Sequence, residues 1–211
     1  MGYDSKKDVS YDFPFCFKFR LHKAYCHFIG ITDSDDDRLR DVYGVDQETY
    51  DEVIRAESEH NAKYAELLKT KVDLSKLGIK PLRIAFLGDS ITSDRNSFLN
   101  IFKKAVEDKD IEIFDFSVAG AVSANMFSVV RPDYTDVHAD IAHIMIGTND
   151  IRSIDDENGY AICSATEFEK NVGFVVKELV EEGTKVIIST IPPIVIERAK
   201  AHFAAARMTV R

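Results

Sequence analysis

One short stretch of the sequence combines a hydroxyl group with the start of a helix. Gly88-Asp89-Ser90-Ile91-Thr92 follows the apolar run Leu82–Leu87, and such a run bounded by a glycine is typical of a buried strand. Ser90 would then lie on the turn at the carboxyl edge of a sheet, with its N–H among the unpaired donors of a helix N-terminus. That position suits a nucleophile whose attack creates an oxyanion. The competing interpretation is that Ser90 or Thr92 only caps the helix.

Two further strand ends supply hydrogen-bond donors. The apolar run Ile111–Phe116 is followed by Ser117-Val118-Ala119-Gly120-Ala121, and Gly120 would allow a backbone N–H to approach a substrate carbonyl closely. The run Ile141–Ile146 is followed by Gly147-Thr148-Asn149-Asp150, where Asn149 would direct its side-chain amide at the same oxyanion. The alternatives are an ordinary turn glycine and an Asx turn.

These loops follow consecutive strands, so they should be neighbours in space. Together they supply a nucleophile and three donors, namely the Ser90 N–H, the Gly120 N–H and the Asn149 amide, which make most of an acyl-transfer site. Asp89 and Asp150 are predicted to bond local backbone and hold the loops rather than to act as acid or base.

The elements that position these loops alternate between strands and helices from Pro81 onwards. Nearly continuous apolar strands alternating with helices indicate a parallel sheet covered on both faces, with the ligand site beyond the carboxyl ends of the strands. The other predicted elements are a helix over Ser93–Asp108, a helix over Ala165–Glu182 with a capping box from Ser164 and Glu167 and a stop at Gly183, a strand over Val186–Thr190 and a helix over Val195–Met208.

The three blocks resemble those of the SGNH (GDSL-type) hydrolases over about residues 82–194. Gly88-Asp89-Ser90 is similar to the first block, Gly120 to the second, and Gly147-Thr148-Asn149-Asp150 to the third. The resemblance implies a flavodoxin-like three-layer αβα sandwich and hydrolysis of esters or other acyl compounds. It implies Ser90 as the nucleophile, an oxyanion hole from Ser90, Gly120 and Asn149, and neither metal nor organic cofactor.

The remaining block of that family, Asp-x-x-His after a fifth strand, supplies the general base and its orienting carboxylate, without which a serine is a poor nucleophile. The sole match here is Asp140-Ile141-Ala142-His143, which lies inside the third strand, so His143 is predicted to be buried in mid-sheet and not to be the base. The other histidines fall in the N-terminal segment, the loop before the third strand and the final helix; they are His22, His27, His60, His138 and His202.

Because the sequence contains these three blocks but no general base, we predict that the fold lacks its last strand and helix. We therefore expect a C-terminally incomplete form of a longer hydrolase, or completion of the fold by a partner subunit. The expected organisation is an N-terminal extension over residues 1–80 and an incomplete hydrolase-like α/β domain over residues 81–211.

The extension shows a different pattern. Phe13, Phe15, Phe17, Phe19 and Leu21 alternate with other residues, which predicts a strand with one aromatic face and with Pro14 at a sheet edge. A short helix capped by Ser34 should follow and end near Gly44, and a longer helix over Gln47–Lys69 should be capped by Asp46.

Composition limits the classes of function. The 211 residues are 45% hydrophobic, and their net charge of −9 comes without a basic patch, which argues against a nucleic-acid partner. No apolar run approaches the roughly 20 residues of a membrane span. Three cysteines without framework spacing predict reduced thiols and a cytoplasmic protein. The spacing of Cys16, His22, Cys26 and His27 matches no zinc pattern.

Other interpretations remain at this point. The turn at Gly88–Thr92 could hold a phosphate group, including that of a flavin, at a helix start, and the chain could be a catalytically dead relative used for protein contacts. The acidic loop Asp155–Gly159 is expected to be solvated beside the substrate entrance. Short acyl esters, acetylated sugars, lysophospholipids and thioesters are all open as small-molecule substrates, and a homo-oligomer is one alternative for the assembly.

Overall fold

The main sheet is parallel and contains the strands that carry the three blocks. A computed structural model of the chain describes residues 13–25, 30–127, 137–154, 159–203 and 208–210. The described strands are β1 (Leu82–Gly88), β2 (Ile111–Asp115), β3 (Ile141–Met145), β4 (Arg152–Ile154), β5 (Tyr160–Ala161), β6 (Lys185–Ile188) and β7 (Met208–Val210). The order β2-β1-β3-β6, with every pair parallel, confirms the predicted α/β class.

Helices cover both faces of this sheet. The described α-helices are α1 (Phe13–Lys18), α2 (Leu21–Tyr25), α3 (Asp36–Tyr43), α4 (Gln47–Lys71), α5 (Ser90–Ser93), α6 (Phe98–Ala105), α7 (Ala165–Glu181) and α8 (Ile196–Phe203), and a 3₁₀ helix spans Ser123–Asn125. Within the described ranges, no helix combines the length and apolarity that crossing a membrane requires.

Alternate side chains of β1 enter two separate cores. Ala85 and Leu87 pack in one cluster with Val175 of α7, whereas Phe86 packs on the opposite face with Leu99 of α6. Because successive strand residues point to opposite faces, this division places α7 and α6 on the two sides of the sheet. The predicted three-layer αβα sandwich is confirmed.

The signals at the helix ends are mostly confirmed. The Ser164 hydroxyl accepts the Glu167 N–H at 3.2 Å, and the Glu167 carboxylate accepts the Ser164 N–H at 3.0 Å, as the capping box predicts. Asp46 caps α4 by accepting the Thr49 N–H at 2.8 Å. The prediction for α3 was one residue off, because its N-cap is Asp35 rather than Ser34.

The prediction of an N-terminal strand was wrong, since residues 13–18 and 21–25 are helical. An alternation of two also contains a spacing of four, and i, i+4 residues share one face of a helix. Phe13 and Phe17 are buried against Tyr43, while Phe15 and Phe19 pair on the other face with ring centroids 4.9 Å apart. Pro14 therefore lies in the first turn of a helix, where it is tolerated.

The predicted helix over Ser93–Asp108 is shorter than expected, because α5 ends at Ser93 and the next helix, α6, spans only Phe98–Ala105. Asp94 is extended, with φ −52° and ψ 131°, and Ser97 caps the second helix. Tertiary contacts hold the break, because the Arg95 N–H donates to the Lys18 carbonyl and its own carbonyl accepts from Asn61 Nδ2, both at 2.9 Å.

Two arginines join the N-terminal segment to the sheet. Arg20, which is 4% exposed, donates to the Ser93 carbonyl, Asn100 Oδ1 and Asp115 Oδ2, each at 3.1 Å. Arg95 lies between Asp33 Oδ1 at 3.1 Å and Glu57 Oε2 at 3.4 Å. We call these five ionic side chains, Arg20, Asp33, Glu57, Arg95 and Asp115, the interface network.

A second, antiparallel sheet has the order β5-β4-β7 and follows the third block directly. In it, Ile154 pairs with Met208 and Arg152 pairs with Val210. The predicted final helix was therefore wrong at its end, because α8 stops at Phe203 and Met208 lies in a strand. Met208 pairs with a strand more than 50 residues earlier in the chain, a contact that local helical spacing does not reveal.

Candidate active site

Ser90 is the first residue of α5, directly after the end of β1. Asp89 caps this short helix, and its Oδ1 accepts the Ile91 N–H at 2.9 Å. The turn is tight enough to require glycine at position 88, since an added Cβ would lie 2.4 Å from Thr92 Oγ1 and 2.9 Å from the Met145 carbonyl oxygen. The side chain of Ser90 is therefore held, half-buried, at the carboxyl edge of the sheet.

The loop that contains Gly120 is bonded to this turn. The Val118 N–H donates to the Gly88 carbonyl at 3.0 Å, and the Ala121 N–H donates to the Val118 carbonyl at 3.1 Å. Gly120 is exposed and has φ 80°, a left-handed conformation that glycine adopts at no steric cost.

Asn149 is almost fully buried, at 3% exposure, and its amide group is oriented by the Gly120 loop. Its Nδ2 donates to the Ala121 carbonyl at 2.7 Å, which fixes the end of the amide that carries hydrogens. Because an amide nitrogen carries two hydrogens, the bond to Ala121 uses only one of them.

Asp150 holds the same loop from the other side. Its two carboxylate oxygens accept the Ser123 N–H at 2.9 and 3.0 Å, and Oδ1 also accepts the Ser123 hydroxyl at 2.5 Å. Asn171 of α7 donates to the same hydroxyl oxygen at 3.0 Å. The predicted bond to local backbone is not what these contacts show, because the backbone partner of Asp150 lies 27 positions away in the loop after β2. Asp150 thus joins the second and third loops into one hydrogen-bonded unit.

Several buried polar atoms at this edge have no hydrogen-bond partner among the described residues. They are Asp89 Oδ2, Thr92 Oγ1, Ser93 Oγ, Thr148 Oγ1 and Asn149 Oδ1, which we call the edge cluster. Burial raises the pKa of Asp89, although the Ile91 N–H and the charge of Arg152 oppose the shift. A buried carboxyl whose protonated form is favoured in this way is typical of functional sites.

The interpretation of this turn as a phosphate site finds no support in the geometry. The Asp89 carboxylate already accepts the Ile91 N–H, one of the donors at the start of α5. The helix is also only one turn long.

The described histidine side chains have partners other than Ser90. His22 Nδ1 lies 2.8 Å from the Tyr43 hydroxyl, and the His60 ring packs on Tyr64. His143 lies within β3, as predicted, but is half-buried and bonds Ser189 through Nε2 at 2.8 Å. His138 comes before β3, at the opposite edge of the sheet. Position 27 and the side chain of His202 lie outside the described residues.

The structure describes only some of the residues of the zinc site that the sequence argues against. Across the described ranges, no group of three or more His, Cys, Asp or Glu side chains is arranged to hold a metal ion. His22 Nε2 instead lies 3.3 Å from Asp33 Oδ1. Positions 26 and 27 lie outside the described residues, as do positions 155–158 of the acidic loop.

Comparisons with known proteins find weak likenesses. No family model matches the sequence, and no curated protein matches it. Similar solved structures include an acetyl xylan esterase (20% identity, TM-score 0.45, covering 51% of this chain and 57% of that one). Others are a lipase/acylhydrolase from Enterococcus faecalis (20%, 0.45, 60% and 63%) and the esterase EstA from Pseudoalteromonas (17%, 0.42, 59% and 69%).

This chain spans less than two thirds of the length of the first two of these proteins. A likeness at this level carries no argument about chemistry, so the activity has to be inferred from the site itself.

Proposed function

We propose that the chain is a serine hydrolase that cleaves ester or thioester bonds through an acyl-enzyme. Ser90 Oγ attacks the acyl carbonyl, and the oxyanion is stabilised by the N–H groups of Ser90 and Gly120 and by the remaining N–H of Asn149. Preorganised donors of this kind contribute most at the position where charge develops. The acyl-enzyme is then hydrolysed by water.

One observation carries this proposal: the loop after β2 is bonded both to the turn before Ser90 and to Asn149. The Val118 N–H to Gly88 contact is 3.0 Å, and the Asn149 to Ala121 contact is 2.7 Å. An oxyanion hole needs donors held in fixed relative positions before substrate arrives. The two bonds tie the three predicted donors to one rigid edge.

The general base is a separate question. No described hydrogen bond joins a histidine to Ser90, and a serine without a base reacts slowly. We propose that a His–Asp pair outside the described contacts serves this role in the active enzyme. The substrate is a small acylated molecule, and nucleic acid and membrane lipid bilayers are not proposed as partners.

We propose that the protein is located in the cytoplasm, where the environment is reducing. Cys16 and Cys163 are both free thiols in the structure. Free cysteines are usual where glutathione keeps thiols reduced. A homo-oligomer stays one alternative for the assembly.

Hydrolysis of p-nitrophenyl acetate by the 211-residue chain, Ser90→Ala and the exposed-site control Ser58→Ala tests the proposal. We expect turnover in the wild type and in Ser58→Ala, and loss to the background rate in Ser90→Ala. Equal turnover in all three would show that Ser90 is not the nucleophile. The absence of turnover in all three would show that this form lacks the proposed activity.

A further inference from the structure

A second serine lies beside a histidine at the same edge of the sheet. His143 Nε2 and Ser189 Oγ are 2.8 Å apart, within the range that a nucleophile and its base require. Among the described side chains, this is the one contact between a histidine ring nitrogen and a serine hydroxyl. The proposed reaction at Ser90 does not use it.

Strand register places Ser189 level with the first block. Gly88 pairs with Met145, and Ile144 pairs with Ile188, so Ser189 follows at the level of Met145 and Gly88. Since adjacent strands are about 4.8 Å apart, Ser189 lies about 10 Å from Gly88 across β3. Both serines therefore leave the same carboxyl edge.

The pair can be reached from solvent. Both side chains are half-buried, and β6 is the last strand of the main sheet within the described residues. Ile187, the residue paired with His143, is 51% exposed, and Ile188 is 58% exposed. Because paired strand residues share a face, the Ile187 side chain gives the pair an apolar border that would accept an acyl or alkyl chain.

The histidine is held in place and kept neutral. Its ring contacts Phe86 of β1 at 5.3 Å and Phe98 of α6 at 5.5 Å between centroids, and the described groups against it, Phe86, Phe98 and Ser189, carry no charge. Burial lowers the pKa of His143. A neutral imidazole accepts the hydroxyl proton at Nε2 when its own hydrogen is on Nδ1. This Nδ1 is buried and has no hydrogen-bond partner among the described residues.

The backbone at this position offers a donor on the open side. The N–H groups of Lys185 and Ser189 donate to the Asp140 and Ile144 carbonyls on β3. Because strand N–H groups alternate in direction, the Ile188 N–H points away from β3, where no described strand pairs.

We propose that Ser189 and His143 form a second nucleophile–base pair that reacts with small esters carrying an apolar acyl group. Ser189 Oγ forms a bond to the carbonyl carbon while its proton passes to His143 Nε2. The C–O bond to the alcohol breaks, and His143 returns the proton to the leaving alkoxide. Water then adds to the acyl-serine, giving a proton to His143 and releasing the acid as Ser189 is restored.

An alkyl fluorophosphonate tests this pair directly, because serine oxygen forms a P–O bond while P–F breaks and HF is released. The labelled residue is located by peptide mass spectrometry in the wild type, Ser90→Ala, Ser189→Ala and His143→Gln, with His60→Gln as the matched histidine control. We expect Ser189 to be labelled at equal rates in the wild type, Ser90→Ala and His60→Gln. The label at this site should be lost in Ser189→Ala and slowed by about 10²-fold or more in His143→Gln, the usual contribution of a general base.

The pH dependence separates a reactive pair from a structural contact. Labelling of Ser189 should fall as pH decreases through a pKa below the usual 6.5 of histidine, because His143 becomes protonated. An unlabelled Ser189, or labelling that is unchanged by His143→Gln in a folded variant, would overturn the proposal. If His143→Gln does not fold, a labelling rate at Ser189 in the wild type that does not vary between pH 4 and 8 would overturn it.

The same experiment keeps the two proposals apart. Label on Ser189 without label on Ser90 would contradict the function proposed for Ser90 and support this pair. Label on Ser90 alone would support the function proposed for Ser90 and contradict the proposed reactivity of Ser189. Thermal unfolding of each variant confirms that the labelled protein is folded.

Discussion

The interface network and the edge cluster are both buried and polar, but they satisfy their polar groups differently. In the interface network, opposite charges meet: Arg20 contacts Asp115 at 3.1 Å, and Arg95 contacts Asp33 at 3.1 Å. Arg20 Nε makes no hydrogen bond among the described residues, but it lies 3.2 Å from the opposite charge of Asp33. At the edge cluster, Asp89 Oδ2 and Asn149 Oδ1 have neither a described hydrogen-bond partner nor a described opposite charge in contact. The interface network holds two parts of the chain together, whereas the edge cluster contains buried polar atoms without hydrogen-bond partners among the described residues.

This difference supports the proposal that the edge cluster belongs to a functional site and that the interface network is structural. Buried polar groups are nearly always paired, so a concentration of unpaired ones calls for a reason. Violations of such rules are expected at functional sites, where the fold has to present groups to a ligand. The predictions that follow test this division.

The largest effect is expected for Arg20→Ala, which removes the central cation of the interface network. The change removes the 3.1 Å partner of Asp115 and the buried donor to the Ser93 carbonyl and Asn100 Oδ1. Lys23, at 3.3 Å from Asp115, stays in place. Removing one member of a buried ion pair costs about 3–5 kcal/mol. Denaturant unfolding should show a loss of that size. The exposed-site control Arg55→Ala should change stability by less than about 0.5 kcal/mol, and an equal loss in both variants would contradict a structural role for the network.

Asn149→Ala should affect rate far more than fold. Losing one oxyanion donor typically lowers the rate by about 10²–10³-fold, and the lost bond to Ala121 is a single neutral contact. The measurement is kcat for p-nitrophenyl acetate beside the thermal unfolding midpoint. Full activity in a folded Asn149→Ala variant would show that the site assignment is wrong.

Asp150→Asn should loosen the loop after β2 with a smaller change in free energy. The carboxylate accepts both the Ser123 N–H and the Ser123 hydroxyl, and an amide nitrogen cannot replace one of its oxygens. A buried donor left without a partner costs about 1–3 kcal/mol. Hydrogen exchange at the Ser123 amide should accelerate, whereas Asp108→Asn on the surface should leave it unchanged. An unaltered rate of hydrogen exchange at the Ser123 amide in Asp150→Asn would show that Asp150 does not hold the loop.

The smallest effects are expected in the pH dependence of stability, with opposite signs in the two regions. Burial raises the pKa of Asp115, but the charges of Lys23, Lys103 and Arg20 lower it by more than burial raises it. The folded pKa therefore lies below the unfolded value of 3.8. Asp115 therefore stabilises the fold above that value, and the contribution is lost as pH falls through the folded pKa. The pKa of Asp89 is raised by burial, so its ionisation destabilises the fold as pH increases above 3.8.

Urea unfolding of Asp115→Asn and Asp89→Asn between pH 3 and 7 checks these signs. Asp115→Asn should be less stable than the wild type at pH 7, with the gap closing toward pH 3. Asp89→Asn keeps a good helix cap and should become relatively more stable as pH increases. Parallel curves for the two variants would refute the distinction between the regions.

Sequence patterns predicted the central part of the fold well because its signals are local. The apolar runs that became β1, β2 and β3 end at glycine or polar loops, and the capping box at Ser164 lies within one helical turn. The aromatic alternation at Phe13–Phe19 failed, because spacing alone does not separate a strand face from the i, i+4 pairs of a helix. Burial against Tyr43 decided for the helix.

The candidate site, like the fold, could be predicted from the sequence only in part. The residue types at Ser90, Gly120 and Asn149, and their positions after strands, could be read from the sequence. That Ala121 orients the Asn149 amide could not, since the contact joins residues 28 positions apart. The pairing of His143 with Ser189, across 46 positions, was likewise missed.

By itself the sequence determined the alternation of buried strands and helices and the chemistry placed at the strand ends, because those signals depend on neighbouring residues. The tertiary structure alone decided the helical form of the N-terminal segment, the break between α5 and α6 and the second sheet that pairs β4 with β7. Each of these depends on contacts between residues far apart in the chain, such as the Lys18 carbonyl with the Arg95 N–H. Local propensity is weaker than the burial and hydrogen bonding that such contacts provide.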